Sequence, residues 1–248
     1  FIYTTPINNV TSIDIAQFAE EMNRFAEAAS DFYGRDETTE EGTHRRFTYP
    51  ELEEFRLRFV TAVQISVGAA HSGYAVMDSS FNATSTTVPT QAKNDWLLWH
   101  EVGHNLASAP FSAPGSTEVT NNLLALYMQE LEGRNDNPRM DRIIFDIKKA
   151  PLWLNANSGH AWSHGDAGMR LVMFGQLKLW AKAHFKIDDW YSNDDAKPAI
   201  YGEDEGWNMF KLMHRKARGD VQGDNGGINY CSSKDTGLSN GDLMMVCS

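Results

Sequence analysis

The segment WLLWHEVGHNLASAPFSAPGSTEVTNN, Trp96 to Asn122, contains His-Glu-x-x-His at His100, Glu101 and His104. Of everything in the chain, this pattern constrains the fold most, because it has chemical meaning only on a helix. Residues four apart then lie on one face about one turn apart, and the two imidazoles address one point. A zinc ion fits there. Glu101 sits one position round from His100, too close to complete the same tetrahedron, and is placed to act as general base toward a water. The plainer alternative is two partly buried helix histidines beside an exposed Glu. What separates the two readings is whether the chain returns a third ligand to the same helix.

Catalytic zinc usually takes three protein ligands and leaves one position open. The extended metzincin pattern needs Gly and His where this chain has Ala107 and Pro110, which excludes it. No Asp occurs between Asp95 and Asp136, which disfavours an Asp ligand. Glu118 is the preferred third ligand, in the first turn of a helix expected to start at Ser116 or Thr117 and to fold back after a Pro- and Gly-containing turn. Its local alternative is a cap or dipole partner at a helix start. Glu130 and Glu132 are rival ligands. Asn122, at i+4 from Glu118, lies on the same face and can orient a ligand histidine; Asn121 is the alternative for that role.

Hydrophobic periodicity supplies the surrounding elements. Apolar residues at Ile15, Phe18, Ala19, Met22, Phe25, Ala26 and Ala29 predict an amphipathic helix over 13–33, ended near Gly34. Arg35 to Thr43 reads as a loop, and Tyr49 to Leu57 as a short helix start at Pro50. Phe59 to Ala70 is rich in β-branched residues and reads as a strand. The Ser, Thr and Asn stretch from Ser79 to Thr90 reads as a loop or ragged edge strand. Asn94 or Asp95 caps the His-Glu-x-x-His helix, and Pro110 and Pro114 close it off. Later helices fit 116–131, 141–149, 168–185 and 203–218. Strand signals before the motif and helices after it predict an α+β fold. Its expected form is a small N-terminal sheet lobe over about 1–107 and a mainly helical lobe over about 108–230, with a loop-rich tail at 219–248 and the site in the cleft between the lobes.

With 248 residues and 42% apolar content, the chain can bury a large core. The formal charge of −11 and pI near 5.1 argue against a nucleic-acid partner, since phosphate binding depends on Lys and Arg. No apolar run approaches the roughly 18 to 20 residues that span a bilayer, so any membrane attachment is expected through a lipid anchor outside these residues. The first residues, FIYTTPINNV, lack the features of a signal peptide, and the chain reads as a fragment of a longer protein. Cys231 and Cys247 can close a loop of about 15 residues as a disulfide, which favours a secreted setting; free thiols in a cytosolic protein are the alternative.

The residues also resemble a known family. WHEVGHN, GSTEVTNNLLALYMQ, SGYAVMD and GHAWSHGDAGMRLVMFGQL, the last at Gly159 to Leu177, are similar to segments of the enhancin-like zinc metallopeptidases, especially the bacterial surface lipoprotein mucinases and the Vibrio accessory colonization factors. The resemblance spans nearly the whole chain. It implies a single gluzincin-like catalytic domain over 1–248, metal ligands at His100, His104 and Glu118, a catalytic Glu101 and a zinc cofactor. It also implies cleavage of O-glycosylated, mucin-type proteins by a secreted or bacterial cell-surface enzyme, with a monomer expected. By the same resemblance, the given residues are expected to be without the β-rich segment that commonly precedes the family's catalytic part and to stop before the family's usual C-terminal end.

Peptide hydrolysis further requires a donor for charge developing on the carbonyl oxygen. His160, His164, Tyr191, Tyr201 and His214 are the candidates, and the residues do not choose among them. Trp162, His164, Asp166 and Arg170 gather in a Gly-rich turn and suit a sugar in a substrate cleft; a capped helix start is the local alternative. Two other functions fit the same residues: a host-glycan-binding adhesion module, against which an intact Glu101 argues, and a zinc peptidase for unglycosylated peptides.

Overall fold

In the computed structural model, the residues described are 2–4, 14–35, 58–61, 70–73, 75–78, 96–107, 111, 115–131, 149–153, 155–156, 165–191, 197–203 and 206–217. Four short strands form one sheet: β1 (Ile2–Thr4), β2 (Arg58–Thr61), β3 (Ala70–His71) and β4 (Val76–Asp78), in the order β1-β2-β4-β3. The pairs β1–β2 and β2–β4 are parallel, with Tyr3 opposite Phe59 and Phe59 opposite Val76. β3 runs antiparallel to β4, with Ala70 opposite Asp78. Of the strand expected over 59–70, residues 59–61 lie in β2 and Ala70 opens β3, which runs the opposite way, while 62–69 lie outside the described residues. β3 leads into a reversal through Gly73, whose φ of +133° is a conformation L side chains rarely adopt.

The helices are α1 (Ile15–Phe32), α2 (Trp96–Leu106), α3 (Asn121–Leu131), α4 (Ala167–His184) and α5 (Trp207–Ala217), with a 3₁₀ turn at Ile187–Trp190. Asp14 caps α1 by accepting from the backbone N–H of Ala16 and Gln17, both at 3.0 Å, which satisfies donors the helix start leaves open. Phe18, Met22, Phe25, Ala29 and Phe32 recur at helical spacing and are all buried, so α1 lays one stripe onto the core. Phe25 meets Phe59 of β2 with ring centroids 6.4 Å apart, an edge-to-face contact that joins sheet to helices. Gly34 ends the helix at φ +67°, the left-handed conformation that glycine adopts at no steric cost. The Arg215 guanidinium donates to the Gly34 carbonyl at 2.9 Å, tying α1 to α5.

α3 is the centre of the fold. Asn121 to Gln129 are all buried, because α1 and α2 pack against it and aromatic side chains of α5 close around it. Such a helix is apolar on most of its circumference rather than along one stripe. Phe111, Phe174 and Phe210 continue this core, and burial of each phenylalanine stabilises by roughly 1.5 to 3 kcal/mol. A smaller cluster gathers Ile187, Tyr191, Ile200, Tyr201 and Leu212. The helix expected over 203–218 is observed from Trp207, and that expected over 168–185 is α4. The expected segments 36–57 and 79–95, most of 141–149, and the 219–248 tail lie outside the described residues. Among the described residues, no helix is long and apolar enough to cross a membrane.

Candidate metal centre

His100, Glu101 and His104 project from α2. The backbone of α2 lies close to β3, to β4 and to α3. Their ligand-type atoms all lie within 4.8 Å of one another. Glu118 does not stand in the first turn of α3 as expected. It sits in the 117–120 turn that leads into α3, where Val119 and Thr120 both donate to the Ser116 carbonyl, at 2.8 and 2.9 Å. The turn is pinned from below: the Ser116 and Thr120 hydroxyls both donate to the Phe111 carbonyl, at 2.8 and 2.9 Å. Placing Glu118 before the helix frees its side chain to point back at α2.

One carboxylate oxygen of Glu118, Oε2, is 3.2 Å from His100 Nε2 and 3.5 Å from His104 Nε2. Two atoms bound to a single tetrahedral zinc at about 2.0 to 2.1 Å lie about 3.3 Å apart. The two observed distances bracket that value. The donor set, two imidazole nitrogens and a carboxylate oxygen, is also the set zinc takes in hydrolytic sites, so the residues present fit the ion.

Two asparagines set the imidazole tautomers, assigned here from their partners. His100 Nδ1 donates to Asn122 Oδ1 at 2.7 Å, which leaves the Nε2 lone pair facing Glu118. Asn122 Nδ2 donates in turn to the Glu118 backbone carbonyl at 2.9 Å, so one amide links a histidine to the turn carrying the acid. Asn121 Nδ2 lies 3.0 Å from His104 Nε2 and donates to the His100 carbonyl at 3.3 Å. An ion at His104 would replace the first of these bonds and leave the second. Burial, followed by the positive potential of His100, lowers the His104 pKa, while Glu118 and Glu101 push the other way. The Glu101 side chain is itself buried, 7% exposed, beside the imidazoles.

The other sequence candidates fall in several places. Glu130 accepts from Lys178 Nζ at 2.6 Å and from Trp207 Nε1 at 2.8 Å, a partly buried pair that gives this rival ligand a structural occupation. Asp166 caps α4 by accepting from Met169 N at 2.8 Å, the local alternative for that residue. Arg170 bonds backbone carbonyls, donating from Nε to Gly165 at 2.7 Å and from Nη1 to Gly115. Tyr191 and Tyr201 lie in the smaller cluster, hydroxyl to hydroxyl at 3.1 Å. His214 packs among Phe32, Tyr33 and Phe111, a core position. Glu132, His160, Trp162, His164, Cys231 and Cys247 lie outside the described residues.

Sequence reasoning missed Asn105, directly after His104. Its amide accepts from Gly73 N at 2.8 Å and donates to Gly73 O at 2.9 Å, which ties α2 to the β3–β4 reversal. Reasoning from sequence also missed Gly103, where an added Cβ would lie 2.2 Å from the Asn121 carbonyl oxygen. A glycine inside a helix was the available signal for a close backbone approach.

The family described as "Peptidase M60, enhancin and enhancin-like" matches residues 1–231. The chain belongs to that family. It is 49% identical, over its whole length, to a putative lipoprotein, YghJ, of Escherichia coli O78:H11, and 47% identical to accessory colonization factor AcfD of Vibrio cholerae. It covers 16% of each of these relatives. Among solved structures, a conserved Bacillus anthracis protein of unknown function superimposes with a TM-score of 0.53 at 19% identity, over 83% of this chain and 35% of that one. IMPa of Pseudomonas aeruginosa, solved in complex with an O-glycopeptide, gives 0.50 at 13% identity, over 94% of this chain and 29% of that one. At such identities these likenesses concern the fold alone.

Proposed function

We propose that this enhancin-like domain is a zinc-dependent endopeptidase of gluzincin type that cleaves peptide bonds in O-glycosylated, mucin-type proteins. The observation that carries the reading is the meeting of Glu118 Oε2 with both Nε2 atoms, at 3.2 and 3.5 Å, beside a buried Glu101. His100, His104 and Glu118 would hold the ion. Zinc bound there would supply Lewis-acid polarisation and lower the pKa of water toward neutrality. Glu101 accepts a proton from the attacking water on its carboxylate and returns it to the leaving amine nitrogen. Asn122 keeps the His100 proton on Nδ1, and the lowered pKa of His104 keeps that imidazole neutral, so both ligand lone pairs stay available.

The substrate class is supported from outside the site: by the O-glycopeptide held by the structural neighbour IMPa and by the lipoprotein and colonization-factor names of the relatives. A bacterial cell-surface setting follows the same names. The test is zinc content together with cleavage of a mucin-type glycoprotein and of the same polypeptide stripped of glycans, for wild type and Glu101→Gln. The expected result is one zinc in both proteins, with cleavage by wild type alone and of the glycosylated form alone. The Glu101→Gln rate should fall by about 10² to 10⁴. Cleavage of both substrates would replace the mucinase with a general peptidase, and zinc binding with no cleavage would favour a glycan-binding module.

A further inference from the structure

The carboxylate of Glu118 is 64% exposed, so burial does not hold it over the two imidazoles. The backbone on either side of it must do so. Three residues upstream, the Gly115 carbonyl accepts from Arg170 Nη1, while Arg170 Nε donates to the Gly165 carbonyl at 2.7 Å. One planar guanidinium thus bridges the entry of the Glu118 turn to the start of α4, which Asp166 caps. Three residues downstream, the Asn121 backbone lies against Gly103. A Cβ on Gly103 would meet the Asn121 carbonyl oxygen at 2.2 Å and its carbonyl carbon and Cα at 2.9 Å. All three are main-chain atoms and cannot rotate aside. Gly103 sits within the motif itself, next to His104 and one turn from His100. Any added separation of α2 from the start of α3 therefore widens the gap between Glu118 and both imidazoles.

We infer that Arg170 and Gly103 are positioning residues for Glu118, clamping its turn from the α4 side and from the α2 side. The inference rests on the reading of His100, His104 and Glu118 as metal ligands. It assigns Arg170 to the protein's own backbone rather than to a bound sugar.

The experiment is zinc titration of the 248-residue chain against a chromophoric chelator, for wild type, Arg170→Gln, Arg170→Lys and Gly103→Ala, each repeated in a Glu118→Ala background, with thermal unfolding of every metal-free protein. Loss of groups that orient metal ligands typically weakens binding by about 10- to 100-fold. Arg170→Gln and Gly103→Ala are expected to weaken zinc binding by about tenfold or more, at the lower end of that range. Arg170→Lys, which keeps the charge but loses the fork, should fall between wild type and Arg170→Gln. In the Glu118→Ala background neither substitution should cost further affinity, because the residue they position is gone. Unchanged zinc affinity in Arg170→Gln, or equal losses with and without Glu118, would overturn the inference, as would a rise in KM with zinc affinity intact, which would put Arg170 on substrate. If Gly103→Ala does not fold, the Arg170 variants carry the decision. A wild type that binds no zinc would instead sink the metal-centre reading, a distinct failure.

Discussion

At the scale of single residues, the site depends on where protons sit. Asn122 Oδ1 is the acceptor that fixes the His100 tautomer, and its amide also holds the Glu118 carbonyl. Asn122→Ala should therefore retain the ligands yet weaken zinc binding by about 10- to 100-fold, read by competition with a chelator. His104 gives a pH dependence. Burial sets its folded pKa below the unfolded value of 6.5, so as pH falls below that value the unfolded chain takes up a proton the folded site refuses. The metal-free chain should lose stability as pH drops from about 7.5 toward about 5.5, and His104→Gln should flatten that slope; urea midpoints across the range measure both. The motif residues were legible in sequence because helical spacing alone converges two imidazoles. The contacts of Asn105 with Gly73 were not, since 32 residues separate them and no local rule pairs them.

At the scale of elements, the hold on the site comes from α2, α3 and the turn between them. The predicted extents of α1 and α4 agree with those observed to within about two residues, because each carries its own cap and apolar stripe. The start of α3 differed by four or five positions. Ser116 and Thr120 spend their hydroxyls on Phe111 rather than capping a helix at 116, and the turn closes with bonds to the Ser116 carbonyl. Glu130, a rival ligand from sequence, is instead the partner of Lys178 and Trp207 beneath α4 and α5. Removing one member of a fully buried pair costs about 3 to 5 kcal/mol. Glu130 is 22% exposed, and water there screens part of the charge left behind. The expected loss for Lys178→Met is therefore smaller, about 2 kcal/mol. Denaturant unfolding would show it, with the zinc affinity unaltered.

At the scale of the whole molecule, a metal held between α2 and the α3 entry would link binding to folding. Zinc that binds only the folded chain should add about 2.7 kcal/mol when free zinc reaches about 100 times its Kd, seen as a rise in melting temperature that a chelator reverses. Glu118→Ala should abolish most of that rise. The sequence alone determined that α2 must be a helix, that His100, Glu101 and His104 share its surface, and that helices dominate after it. Those features depend only on the repeat of side-chain direction along a helix or a strand, which neighbouring residues carry by themselves. Tertiary structure decided which acid reaches the imidazoles, which amide orients them, and why Gly103 stands inside the motif. Those outcomes depend on how closely α2 and α3 approach, a distance set by backbone packing between segments; a glycine inside a helix signals such an approach but does not name the segment it meets.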